Sequence, residues 1–102
     1  MEVRVIREQD PRHIMLIGRM WQREDFDYIE EEIDRKQLKL ILDLSRLTFV
    51  NSHGLGLLIK LHAQMDNHGG TLLLLSPQDE IREVINTIGL AEVFNVVDSD
   101  EC

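Results

Sequence analysis

The chain has 102 residues, 43% hydrophobic and 29% charged, with 11 Lys and Arg against 19 Asp and Glu for a formal net charge of −8. That size suits one domain over residues 1–102 with a modest core, and the composition argues against disorder. The acidic surplus argues against nucleic acid or an anionic membrane as partner, because both are bound through clustered Lys and Arg, and it favours basic protein surfaces.

The lone cysteine, Cys102, rules out a disulfide within the chain and fits a reducing compartment. The opening Met1–Val5 segment lacks the apolar run of a signal peptide, and no apolar run approaches the roughly 20 residues of a membrane span. The expectation is a cytoplasmic protein that does not insert into a membrane.

Val3 and Val5 alternate with Glu2 and Arg4, the pattern of a half-buried strand. Gln9-Asp10-Pro11-Arg12 carries turn chemistry, and Ile14-Met15-Leu16-Ile17 reads as the return strand of a hairpin, ended by Gly18. From Glu24 to Lys36 the apolar positions Phe26, Ile29 and Ile33 recur at helical spacing. Glu24 and Asp25 lie at the end that favours acid, and Arg35 and Lys36 at the end that favours base. Trp21, just ahead, is expected to pack over the start of this helix, with a surface binding anchor as the alternative.

The central stretch runs from residue 38 to residue 59. Leu38, Leu40, Leu42 and Leu44 share one face of a strand, with Lys39, Ile41 and Asp43 on the other. A polar loop is expected next, then a short apolar patch at Phe49 and Val50, a turn at Asn51-Ser52-His53, and Gly54-Leu55-Gly56 leading into a helix that runs to about His68. Its apolar arc is broad: Leu55, Leu58, Ile59 and His62 form one stripe, widened by Leu57, Leu61 and Met65. Such a helix is buried on more than one side or awaits a partner.

Asn67-His68-Gly69-Gly70 stops that helix with a glycine cap. Thr71–Leu75 reads as a strand buried on both faces. Ser76-Pro77-Gln78-Asp79 reads as a helix start with Ser76 as N-cap and Pro77 in the first position. Ile81, Val84, Ile85 and Ile88 continue it, Gly89 ends it, and a short last strand is expected at Phe94–Val97 before an acidic tail. The sum is an α/β fold: a small mixed sheet of four to five strands joined by right-handed crossovers, with three or more helices packed mainly on one side.

Enzyme chemistry is not signalled. Gly54-Leu55-Gly56 lacks the third glycine of a dinucleotide loop, and no phosphate-loop motif occurs. No two of His13, His53, His62 and His68 are four residues apart as a helical metal pair requires, so they read as surface histidines and no metal or other cofactor is expected. In Val50-Asn51-Ser52-His53-Gly54 the Gly-X-Ser-X-Gly frame of a nucleophile elbow is absent, because Val50 stands where its first glycine belongs, and the neighbour His53 is poorly placed as a base, so neither a catalytic residue nor a small-molecule substrate is expected.

The strand–turn–helix junction has its own physics. The first N–H groups of a helix lack intrahelical partners and the dipole is positive there, so an anion carried on Ser52 would be well placed. On local grounds Ser52 could equally be a helix N-cap, a role open to Asn51 as well. Gly54 and Gly56 leave backbone uncovered for a close approach by another protein.

The strand ending in Asp43-Leu44-Ser45, then Phe49-Val50, then Asn51-Ser52-His53-Gly54-Leu55-Gly56-Leu57-Leu58, resembles the STAS domain of sulfate transporters and anti-sigma factor antagonists, most of all the small free-standing antagonists. The flanking elements follow the family's order over nearly the whole chain. The family's usual motif is Asp-Ser-Ser-Gly, with the first serine phosphorylated by a partner kinase; here Asn51 stands for the Asp and His53 for the second Ser. The resemblance implies a regulatory protein, not an enzyme, that binds an anti-sigma factor which is also a serine kinase. It implies Ser52 as phosphoacceptor and Asn51, Ser52, His53, Gly54, Leu55, Gly56 and Leu57 as the partner-binding segment. The alternative is a STAS subunit of a lipid-transport or signalling complex, not phosphorylated, with the apolar arc after Ser52 as a permanent interface.

Overall fold

The computed structural model describes residues 1–8, 11–31, 39–87, 89–90 and 94–97. The expectations for Gln9 and Asp10, for residues 32–38, for Ile88 and for the acidic tail fall outside them.

Strands β1 (Glu2–Arg7) and β2 (Arg12–Met20) form the expected antiparallel hairpin, with Val3 opposite Leu16 and Val5 opposite Ile14. These pairs share the core side, which is why Glu2 and Arg4 alternate out into solvent. Helix α1 (Arg23–Glu31) then leads to β3 (Lys39–Val50), α2 (Ser52–Asn67), β4 (Thr71–Leu75), α3 (Asp79–Thr87) and β5 (Asn95–Val97). The sheet order is β1-β2-β3-β4-β5, and every pair after the hairpin is parallel. Each parallel connection crosses over through one helix to the neighbouring strand, giving a mixed sheet of five strands with three helices.

Alternation places Ile14, Leu16, Leu40, Leu42, Leu44, Leu72 and Leu74 in the core. Phe26 and Ile29 of α1, Leu58, Leu61 and Met65 of α2, and Ile81 and Ile85 of α3 close over them. The broad apolar arc of α2 is thereby absorbed into the molecule's own core: Leu55, Leu57, Leu58, Leu61 and Met65 are all buried, and of the large apolar residues on this helix only Ile59 is exposed. The end of α2 follows the glycine rule. Gly69 adopts φ +73, its amide donates to the Asp66 carbonyl at 3.0 Å, and the Gly70 amide donates to the Met65 carbonyl at 2.8 Å.

Several expectations need correction. Gly18 does not end β2, which continues to Met20, and the segment 45–48 is not a loop but belongs to the second half of a twelve-residue β3. The two long strands support each other, pairing Ile17 with Arg46, Gly18 with Leu47 and Met20 with Val50 across two register shifts. Gly18, at φ +107, sits beside one of these irregularities, where a residue without Cβ is needed. Ser76 is not the N-cap of α3. Its φ is +50 and its amide is committed to the Val97 carbonyl of β5 at 2.7 Å, so the helix starts at Asp79 and the Gln78 carbonyl takes the Ile81 and Arg82 amides.

The remaining corrections concern side chains. His13 and His62 are half-buried: His13 Nε2 lies 3.7 Å from the Asp43 carboxylate, and the His62 ring meets Phe94 edge-on with centroids 5.9 Å apart. Trp21 lies outside the core and is 47% exposed. Its backbone is held at the start of α1, because the buried Asp25 carboxylate accepts the Trp21 and Gln22 amides at 2.9 and 3.0 Å and so closes the first turn.

Candidate functional site: the β3–α2 junction

The junction is set by a turn between a strand held on both sides and a helix capped at its first residue. Val50 ends β3 in the core. Asn51 is extended, at φ −100 and ψ −176, and is the N-cap: its Oδ1 accepts the Gly54 amide at 2.7 Å and its carbonyl accepts the Leu55 amide at 2.9 Å. Of the two candidate caps the fold uses Asn51, which relieves Ser52 of any capping duty.

Ser52 is therefore the first helical residue, exposed, and its hydroxyl has no hydrogen-bond partner among the described residues. With the Gly54 amide taken by Asn51, the amides of Ser52 and His53 are the ones at this end with no intrahelical acceptor. The first turn holds no acidic residue. The positive end of a 16-residue helix thus faces solvent beside the Ser52 hydroxyl, with no carboxylate in the turn to offset it.

The predicted partner-binding segment splits into two sides. Ser52, His53 and Gly56 are exposed and Asn51 is half-buried, whereas Gly54, Leu55 and Leu57 are buried. Gly54 does not open the backbone to a partner. A Cβ there would collide with the Met20 carbonyl oxygen and lie 2.7 Å from Val50 Cγ2, so this glycine lets the end of β2 rest on the first turn of α2. Gly56 is the open one, with nothing within 4 Å of a built Cβ. The surface that remains runs along one side of α2 through Ser52, Gly56 and Ile59, flanked by His53 and Lys60.

Sequence reasoning offered Trp21 alone as an alternative anchor and missed the surface around it. Arg19, Trp21 and Phe49 are all exposed at the ends of β2 and β3, with the Arg19 guanidinium 5.0 Å from the Phe49 ring centroid and 5.8 Å from that of Trp21. The signal available in the sequence is the i, i+2 spacing of Arg19 and Trp21 in an extended segment, which puts both on one side. The missing information is that β2 runs past Gly18.

Among the described residues no cluster of three His, Cys, Asp or Glu side chains is placed to hold a metal, and no helix is long and apolar enough to cross a membrane. Asp43, in the Asp-Leu-Ser part of the motif, has a structural role, since it is buried and its Oδ1 accepts the Ser45 amide at 2.9 Å.

Residues 24–101 match the family profile described as STAS domain. A candidate anti-sigma factor antagonist of Bordetella bronchiseptica, BtrV, is 30% identical over 70 residues, which is 69% of this chain and 60% of that protein. Among solved structures, a candidate anti-sigma factor antagonist from Thermotoga maritima superposes with a TM-score of 0.70 at 16% identity, covering 96% of this chain and 86% of the other. The anti-sigma factor antagonist SpoIIAA in its unphosphorylated form superposes with a TM-score of 0.64 at 22% identity, covering 86% and 79%. At those identities the two structures speak for the fold.

Proposed function

This chain belongs to the STAS domain family, and we propose that it is an anti-sigma factor antagonist switched by phosphorylation of Ser52. Unphosphorylated, the outer side of α2 around Ser52, His53 and Gly56 docks on an anti-sigma factor that is also a serine kinase, and docking releases the sigma factor. The observation that carries the reading is Ser52 itself: exposed, unpartnered among the described residues, and excused from capping by Asn51. A relative described as a candidate antagonist supports the same class of partner.

The switch follows from charge. A phosphate on Ser52 adds about −1.5 to −2 charge at neutral pH. On the free protein the cost is small, because the vacant Ser52 and His53 amides and the helix dipole receive it, so the fold persists. In the complex the same charge is placed in the middle of a contact shaped for a hydroxyl, where it must be desolvated. Asn51 keeps the cap that an Asp would also supply but carries no charge, so the phosphate meets no repulsion from the preceding residue.

The experiment is incubation with the cognate anti-sigma factor and ATP, followed by mass spectrometry at Ser52 and a binding titration of Ser52→Asp. Phosphate on Ser52, with affinity of Ser52→Asp reduced at least about tenfold (about 1.4 kcal/mol), is the expected result. No phosphate, together with wild-type binding by Ser52→Asp, would overturn the switch and leave a constitutive interaction subunit.

A further inference from the structure

We propose that Arg19, Trp21 and Phe49 form an anchor that receives a carboxylate side chain of the anti-sigma factor and extends the docking surface from Ser52 across the ends of β2 and β3. The proposal rests on the reading above and specifies the partner's chemistry. Trp21 is 47% and Phe49 40% exposed, and the Arg19 guanidinium lies within 6 Å of both ring centroids. Two large rings left in water around a cation are not explained by the core, to which neither belongs. Trp and Arg are also the residue types that concentrate binding energy at protein interfaces.

The state of Arg19 identifies the ligand group. In a chain with 19 acidic against 11 basic residues, Arg19 has no carboxylate and no hydrogen-bond acceptor among the described residues; its interactions are with the two rings. Ring contacts use the face of a guanidinium and leave its in-plane N–H donors unspent. That planar fork matches a carboxylate in bidentate geometry, and the flanking rings exclude water from the pair. A nucleic-acid phosphate would have the same local chemistry but would meet the −8 charge of the rest of the chain. The position fits as well. Met20, between Arg19 and Trp21, rests its carbonyl on Gly54 in the first turn of α2, so the anchor and Ser52 stand on adjoining elements.

Trp21 is the sole tryptophan of these 102 residues, so this chain labelled with 5-fluorotryptophan gives a single 19F resonance from the anchor. On titration with the cognate anti-sigma factor that resonance should shift. Arg19→Ala should lose at least about tenfold in affinity, and Arg19→Glu should lose more, because it sets two carboxylates against each other. The melting temperatures of both variants should stay near wild type. A complex that forms and is weakened by Ser52→Asp, yet leaves the 19F resonance unmoved and tolerates Arg19→Ala, would overturn the anchor and leave the Ser52 reading standing. Binding by Arg19→Glu equal to that of Arg19→Ala would overturn the carboxylate. Failure of the wild-type chain to bind would remove both proposals. Should Arg19→Ala unfold, the 19F response of the wild-type complex decides alone.

Discussion

Gly54 and Gly56 lie two positions apart at the start of the same helix and face opposite environments. Gly54 is walled in by the Met20 carbonyl and Val50, while Gly56 faces open space. Between these two sides the first turns of α2 divide into an inner surface, with Leu55, Leu57 and Leu58 in the core, and an outer surface carrying Ser52, His53 and Gly56. The difference teaches that one short motif can fix the fold and carry the proposed contact surface at once. The inner glycine sets how closely β2 and α2 approach, and the outer one leaves the helix thin where a second protein would come. Changes on the inner side should therefore act on stability, and changes on the outer side on binding.

The largest effect is expected from Gly54→Ala, which forces the end of β2 off the helix and should cost about 3 kcal/mol in a urea unfolding titration. A loss no greater than that of an ordinary surface substitution would break the division at its strongest point. Asn51→Ala removes the acceptor for the Gly54 amide and should cost about 1 kcal/mol, while Asn51→Asp, which keeps an oxygen in the same place, should retain most of the stability. On the outer side the sign should reverse. Gly56→Ala should raise stability by about 0.8 kcal/mol, because a helical glycine is replaced with no steric conflict, while a binding titration of the same variant should show weaker partner affinity. Smallest of all, Ser52→Asp should change the unfolding free energy by about 0.5 kcal/mol in the stabilising direction, since it adds a negative charge at the positive end of α2. A substantial destabilisation would mean that the outer side also bears on the fold.

The site is partly legible in the sequence. The strand, the turn and the glycines at residues 41–59 locate the junction, and the choice of caps narrows to two neighbours. Which of Asn51 and Ser52 is the cap cannot be read there, because both side chains carry a suitable oxygen and the choice depends on where the preceding strand releases the chain. The anchor residues are hidden for a related reason. Arg19 and Phe49 become neighbours only through the register that pairs the late part of β2 with the late part of β3.

The sequence by itself determined the order of strands and helices and the glycine stop just beyond α2. Apolar periodicity and glycine caps are local properties, set by residues within a few positions of one another. The tertiary structure decided how far β2 and β3 extend, where α3 begins, that Gly54 serves packing, and that Trp21 faces solvent beside Arg19 and Phe49. Each of those depends on a partner distant in sequence: β3 for β2, Val97 for Ser76, Met20 for Gly54, Phe49 for Arg19. A hydrogen-bonding strand or a blocking carbonyl roughly 20 to 35 residues away leaves no mark on local periodicity, so those features took shape only when the sheet closed.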